Sequence, residues 1–177
     1  MLLTTKRLTL RPLLESDWAL WQALHQHPDV MRYIGDIANE DTFREKFNSR
    51  LSAGLGQWRK EDNSWLTLVI EEKATGIAVG LHGFLSMWTP FQQAELGFMI
   101  VPEFQGKGYA YEASQAVLSL AWQQCNYHKL VATVTQGNQA SHRLLKKLGF
   151  DLEGTLKDNY QIAGHWVNDE KFGMLAP

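Results

Sequence analysis

The sequence is poor in the residues that mark several special classes of protein. It has one cysteine, Cys125, in 177 residues, which excludes an internal disulfide framework and any cysteine-rich zinc site. No apolar run is long enough to span a bilayer. The opening MLLTTKRLTLRP alternates polar and apolar residues and meets Arg11 and Pro12 early, so neither a signal peptide nor a membrane segment is expected. Seventeen basic residues stand against 19 acidic ones, a formal net charge of -2. No basic run stands out, so direct contact with nucleic acid is not expected. The histidines are scattered. His25 and His27, with Asp29 nearby, point apart on a helix end, so no metal site is expected. A cytoplasmic location is the simplest reading.

What is present suits one domain. With 45% hydrophobic and 20% charged residues, the chain can build one substantial core over residues 1–177. There is no linker, repeat or low-complexity stretch. Aromatics are plentiful, and several sit in polar surroundings where a groove can use them. Trp58, Trp65, Trp88, Phe91 and Trp166 are candidates for an acceptor tunnel, with Trp65 the most suited to the core. The Trp88–Phe91 loop around Pro90 is a candidate surface for a homodimer or a cleft.

The hydrophobic pattern changes period along the chain. Residues 8–11 read as a first strand. Ser16 and Asp17 cap a short helix carrying Trp18, Leu20, Trp21 and Leu24. Pro28 opens another helical turn, and a polar surface helix is predicted over 41–55 on the spacing of Phe43, Phe47 and Leu51. Strands are predicted at 65–70, 76–84 and 95–101. A helix over 108–124, a strand over 130–135 and a helix over 138–148 follow, with Gly149 as its C-cap and Phe150 packing back. Strand returns from Phe150, and a last strand is expected within 165–175. The fold class is therefore α/β: a mixed, mostly antiparallel central sheet flanked by helices.

The most informative segment is ELGFMIVPEFQGKGYA, residues 95–110. A strand ends at Pro102, and Gly106 and Gly108 precede a helix. Glycines there let backbone N–H groups converge, and a helix N-terminus adds unpaired donors and a favourable dipole end. The result is an anion site suited to phosphate or pyrophosphate. Neither a GxGxxG nor a GxxxxGK[ST] pattern is present, so the usual nucleotide loops do not account for it.

The run Gln105-Gly106-Lys107-Gly108-Tyr109-Ala110 resembles the Q/R-x-x-G-x-G/A signature of the GNAT N-acetyltransferases. Asn138, Ser141, Gly149 and Phe150 resemble that family's second cofactor element. The opening TTKRLTLRPL, the segment HPDVMRYIG and the closing Gly164–Asp169 look like the branch of ribosomal-protein N-terminal acetyltransferases. The resemblance implies acetyl-CoA as co-substrate, a GNAT-like acyl-CoA N-acyltransferase fold and a cofactor-binding core over 95–150. By the same resemblance, Phe98, Met99 and Ile100 lie on a splayed strand that pairs with the pantetheine amides. Gln105, Gly106, Lys107, Gly108, Tyr109 and Ala110 hold the pyrophosphate, Asn138 meets the pantetheine arm, and Ser141 sits near the sulfur.

Acetyl transfer to an amine needs a base, a donor for the developing oxyanion and a route for the thiolate to leave. Glu95, at the start of the strand leading into the turn, is the best candidate base, acting through a water. Its other reading is a solvated carboxylate or an arginine partner. Glu153 is a weaker alternative base. Backbone N–H groups of residues 98–100 are candidate oxyanion donors. Many family members carry a tyrosine acid where this chain has Leu145. Ser141, one turn upstream, is the replacement the ribosomal-protein branch suggests, or else simply part of the helix start. His82 is read as a hydrogen-bonded strand histidine with a possible place in the acceptor cleft.

An α-amine titrates near 7.7–8.0 and a lysine amine near about 10.4. That difference favours a protein N-terminus as the first expected acceptor, and the resemblance implies one such as that of a ribosomal protein. A small amine (polyamine, amino acid or drug) is the alternative, and a non-catalytic acyl-CoA-binding module is the reading from another class.

Overall fold

The computed structural model describes all 177 residues. One sheet of eight strands runs through the molecule: β1 (Leu3–Thr4), β2 (Leu8–Pro12), β3 (Trp65–Glu72), β4 (Ala78–Met87), β5 (Gln93–Ile100), β6 (Lys129–Thr135), β7 (Asp151–Ile162) and β8 (His165–Leu175). The spatial order is β1-β2-β3-β4-β5-β6-β8-β7. Every neighbouring pair is antiparallel except β5 and β6. The helices are α1 (Trp18–His25), α2 (Pro28–Met31), α3 (Glu40–Asn48), the single turn α4 (Trp88–Phe91), α5 (Tyr109–Gln123) and α6 (Gln139–Leu148). The expected mixed sheet flanked by helices is the fold observed.

Both faces of the central strands are covered, which explains why β3 reads as an apolar run instead of an alternation. Leu66, Leu68 and Ile70 join Leu8, Leu10 and the α5 residues Ala113, Val117, Leu120 and Ala121 in the larger core. Val69 faces the other way and packs with Leu13, Trp21, Leu24, Phe43, Phe47 and Leu81 under α1 and α3. That second core is aromatic: Trp18 and Trp21 meet Phe43 and Phe47 with ring centroids 5.0–6.2 Å apart. Arg11 fastens the start of α1 to the sheet. Its guanidinium donates to both carboxylate oxygens of the buried Asp17 at 2.7 and 2.8 Å and also reaches Glu71.

Helix ends follow their side chains. The Asn39 and Asn138 carboxamide oxygens accept from the N–H groups of Thr42 and Ser141. At the end of α6, Gly149 takes φ 98° and Phe150 N–H donates back to the Leu145 carbonyl. The helix expected over 41–55 is shorter than its periodicity suggested. It ends at Asn48 and continues as turns; among them Gly54 lies against the β2–α1 connection, where a Cβ would come within 2.2 Å of the Leu13 carbonyl oxygen. Two smaller features escaped the pattern, the two-residue strand β1 and the helical turn α4 inside the supposed loop at Pro90. No helix is long and apolar enough to cross a membrane.

One polar link crosses the larger core. Ser114 Oγ donates to the Ala110 carbonyl at 2.7 Å, so its remaining contact, His82 Nε2 at 2.8 Å, must be a donor to it. His82 is therefore the neutral Nε2–H tautomer, with Nδ1 unpartnered. Burial pushes its pKa down to about 3. An unfolded histidine takes up its proton near ~6.5, so below that pH the unfolded chain binds more protons than the native one. Stability should fall as pH drops from about 6.5 toward 3, by up to ~1.4 kcal/mol per pH unit from this residue, and be insensitive to it above 6.5. Chemical denaturation at pH 7 and pH 5 should show a shallower loss for His82→Gln than for the parent; equal losses would refute a neutral buried His82.

Candidate active site

β5 and β6 pair over three positions only, Gln93 with Lys129, Ala94 with Leu130 and Glu95 with Val131. Beyond Glu95 they part, while β5 stays in register with β4 to Ile100 and β6 with β8 to Thr135. The sheet therefore opens as a V with Glu95 at its vertex. Val101 N–H donates to the Val79 carbonyl at 2.9 Å, so the ladder's alternation aims the odd-numbered backbone groups at β4 and those of residues 96, 98 and 100 into the gap. The Ile100 carbonyl is taken by the Gln105 side-chain amide at 2.9 Å, which leaves Phe98 with both backbone groups open. Met99 lines the same cleft, but its backbone belongs to β4.

The turn after β5 closes one end of the V. Gly106 and Gly108 hold φ values of 73° and 80°. The six consecutive N–H groups from Gly106 to Tyr111 donate to no backbone acceptor. Arg7 shapes this turn from outside. Its Nε and N–H bind Glu112 at 2.6 and 2.8 Å, and Nη1 takes the Lys107 carbonyl at 2.9 Å. The turn's carbonyl is thereby engaged while its donors stay free, as an anion requires. The Lys107 ammonium rests 4.5 Å from the Phe104 ring centroid. Tyr109 contributes here through its backbone alone. Its hydroxyl donates to Glu72 and its ring lies 4.7 Å from the Arg7 guanidinium.

The V and turn open into a cleft of about 1140 Å³. Glu95, Phe98, Met99, Ile100, Gln105, Gly106, Gly108, Tyr109, Ala110, Asn138 and Ser141 all border it. Lys107 alone among the residues expected to hold the cofactor does not. Glu95 accepts from the Thr133 hydroxyl, which in turn accepts from Lys171 Nζ at 2.5 Å; that ammonium stands 3.8 Å from the Glu95 carboxylate. Ser141 is held by the Asn138 cap through its backbone N–H at 3.2 Å, and its hydroxyl is free of protein partners. Leu145, one turn further, is fully buried in the core.

Several expectations need correction. Glu153 lies outside the cleft, pairing with Lys129 at 2.6 Å. Of the five candidate tunnel aromatics only Trp65 borders the cleft, and it is half-buried there. Trp58 and Trp88 pack on the core, while Phe91 and Trp166 are exposed elsewhere. The aromatics that do line the acceptor end are Trp21, Tyr33 and Tyr160. His82 does both things foreseen for it, bonding Ser114 and bordering the cleft against Phe98, with ring centroids 5.6 Å apart. No group of three or more histidine, cysteine or acidic side chains is disposed to hold a metal ion.

The acetyltransferase (GNAT) domain profile matches residues 7–151, and the chain belongs to that family. Acetyl-CoA is its acetyl donor, and the turn of free N–H groups and the splayed strand fit that molecule's anionic and amide portions. The uncharacterized N-acetyltransferase YoaA of Bacillus subtilis is 30% identical, covering 99% of this chain and 97% of its own. The spermidine N(1)-acetyltransferase of Escherichia coli K12 is 29% identical, covering 90% and 81%. Among solved structures, spermidine N-acetyltransferase from Vibrio cholerae in complex with CoA and spermine is 25% identical, covers 97% of this chain and 96% of that one, and superposes with a TM-score of 0.82.

A bulky residue at Gly108 should disable the turn. It would hold a strained positive φ, with its Cβ 3.5 Å from Arg7 Nη2. Calorimetry should show acetyl-CoA binding at least about tenfold weaker in Gly108→Val, equivalent to losing one or two charge-assisted hydrogen bonds. Gly106→Ala, whose added Cβ meets nothing within 4 Å, should lose less. Undiminished affinity in Gly108→Val would remove this turn from the site.

Proposed function

We propose that the protein acetylates the primary amine of a small molecule, in preference to the N-terminus of a protein. The observation that carries this reading is the convergence of three segments on the acceptor end. The Ala163 N–H at the β7–β8 turn donates to Asp36 at 2.7 Å. Nearby, a Cβ on Gly35 would lie 2.9 Å from the Tyr160 hydroxyl, and one on Gly137 would lie 3.6 Å from the Tyr33 ring. The hairpin, the segment after α2 and the turn before α6 thus meet around Tyr33 and Tyr160. An aromatic end bordered by Tyr33 and Tyr160, with Asp29 and Glu95 along the same cleft, suits a compact ammonium. The likeness to spermidine acetyltransferases supports the same choice over the ribosomal-protein branch suggested by the sequence motifs.

The bound co-substrate supplies an acetyl thioester, and the acceptor nitrogen forms a C–N bond at its carbonyl carbon as the C–S bond breaks. Glu95 takes the proton that the amine must lose, through a water, with Thr133 and Lys171 fixing the carboxylate at the vertex. Backbone N–H groups of β5 that face the gap stabilise the oxyanion without reorganising. Ser141 donates its hydroxyl proton toward the leaving sulfur. A thiol of pKa near about 8.5 is a tolerable leaving group even with so weak an acid, so Leu145 does not silence the chemistry.

Thiol release measured with small amines and with N-terminal peptides tests the acceptor. Small amines should show kcat/KM at least about tenfold above any peptide, and the reverse order would overturn the reading. Glu95→Gln should lower kcat by roughly 10²-fold or more, the usual contribution of a positioned base, with acetyl-CoA affinity retained. Equal turnover would take Glu95 out of the mechanism.

A further inference from the structure

Arg50 is a cation on the wall of the acceptor cleft without a counter-ion. It lies just past the C-terminal end of α3, where the chain leaves the helix and turns. Its guanidinium carbon sits 4.2 Å from the Trp65 ring centroid, and both residues border the cleft. Arg7, Arg11 and Arg44 each pair with a carboxylate, whereas Arg50 has none within 4.0 Å and makes no side-chain hydrogen bond. The other unpaired arginines, Arg32, Arg59 and Arg143, are exposed to water. Arg50 is half-buried, and burial pushes its pKa down to about 10.

The carboxylates of the cleft do not neutralise it. Asp169 spends its two oxygens on Thr135 and Asn159, Glu95 is held by Thr133, and Asp29 is exposed. A second unsatisfied donor lies on the same wall. Trp21 is 3% exposed and borders the cleft, yet its indole N–H has no acceptor. His25, stacked on Trp21 at 3.7 Å, is kept neutral: burial first, then the charges of Arg50 and Lys46, push its pKa down to about 4. This wall therefore holds one half-buried positive charge with no carboxylate paired to it, and an orphan N–H.

We propose that Arg50 binds a carboxylate carried by the acceptor, so that the substrate is an amine bearing an acid group, an amino acid or a close derivative, and not a polycation. The inference rests on the small-amine reading above and names the class within it. The guanidinium carbon lies over the Trp65 ring and its N–H groups have no protein acceptor, which leaves them to meet a carboxylate, the group arginine binds through paired donors. A polyamine would instead set a second positive charge beside one that is half-buried and unpaired, where like charges repel more strongly than in open water. The amine of the bound acid faces Glu95, at the vertex of the V.

The test compares acceptors that differ only by the carboxylate: L-methionine with 3-(methylthio)propylamine, L-lysine with cadaverine, and spermidine alongside. In the parent enzyme the carboxylate-bearing member of each pair should have the higher kcat/KM by at least about tenfold, one charge-assisted contact's worth. Arg50→Met should collapse that ratio toward unity through KM, and Arg50→Lys should restore part of it. Equal or better turnover of the decarboxylated amines or of spermidine by the parent enzyme would overturn the assignment while leaving a small-amine acceptor in place. An unchanged ratio in Arg50→Met would overturn it too. Turnover of N-terminal peptides alone would overturn both readings. The parent comparison needs no variant to fold.

Discussion

The three-residue parallel contact between β5 and β6 is the constraint on which the rest of the site depends. Parallel neighbours need a crossover, and α5 provides it, so the chain must leave β5 at its C-terminal end and enter a helix there. The same connection that makes the pair parallel therefore sets a helix N-terminus, with its free N–H groups, at the mouth of the gap. Had the pairing continued past Glu95, the backbone groups of Leu96, Phe98 and Ile100 would be spent on β6. Because it stops, Phe98 keeps both backbone groups for a ligand, and the last paired residue, Glu95, becomes the vertex of the gap. Buried backbone groups left without any partner cost on the order of 1–3 kcal/mol each, so an opening of this kind is stable only where a ligand or water answers them.

The cofactor half of this arrangement was legible in the sequence because its signals are local. Gly106 and Gly108 are needed for positive φ within a few residues, Asn138 caps the residue three places on, and Gly149–Phe150 close the helix they follow. Each of these depends on neighbours in the chain. The acceptor half depends on neighbours in space. Trp21, Arg50, Trp65, Tyr33 and Tyr160 come from five separate segments, and nothing in the spacing of any one of them reports the others. Trp65 illustrates the point. It opens the most apolar strand of the chain, so periodicity assigns it to the core, but the strand's first residue stands at the edge where Gly97 leaves room for its ring. Glu153 fails for the opposite reason. It follows the right motif, yet the β-bulge between Leu152 and Gly154 and the pull of Lys129 lay its carboxylate over Gly173 of β8, away from the cleft.

Leu145 shows how one helix divides between packing and chemistry. Its side chain lies in the core beneath Phe150, and the residue one turn earlier, Ser141, borders the cleft with its hydroxyl free. A tyrosine at 145 would reach the sulfur over its own ring; a leucine there returns that length to the core and leaves a short hydroxyl as the available proton donor. The demand on that donor is modest, because a thiolate whose conjugate acid titrates near about 8.5 is a tolerable leaving group and takes up a proton from water at neutrality. The harder proton is on the amine, and that is where the fold concentrates its supports, with Thr133 and Lys171 both holding Glu95.

Charge selection then follows from desolvation instead of net charge. An overall charge of -2 says little about a cleft in which individual groups are removed from water. At the vertex, a carboxylate with a lysine partner can accept a proton from an incoming ammonium. On the far wall, a guanidinium with no partner is stabilised only by an aromatic face, worth about 0.5–2 kcal/mol, which is less than its loss of hydration. A zwitterionic acceptor answers both ends at once, with ammonium toward Glu95 and carboxylate toward Arg50. A polycation answers only the first and aggravates the second. The same fold that acetylates spermidine in its relatives can thus be turned toward a different amine by one arginine left unpaired at the end of α3.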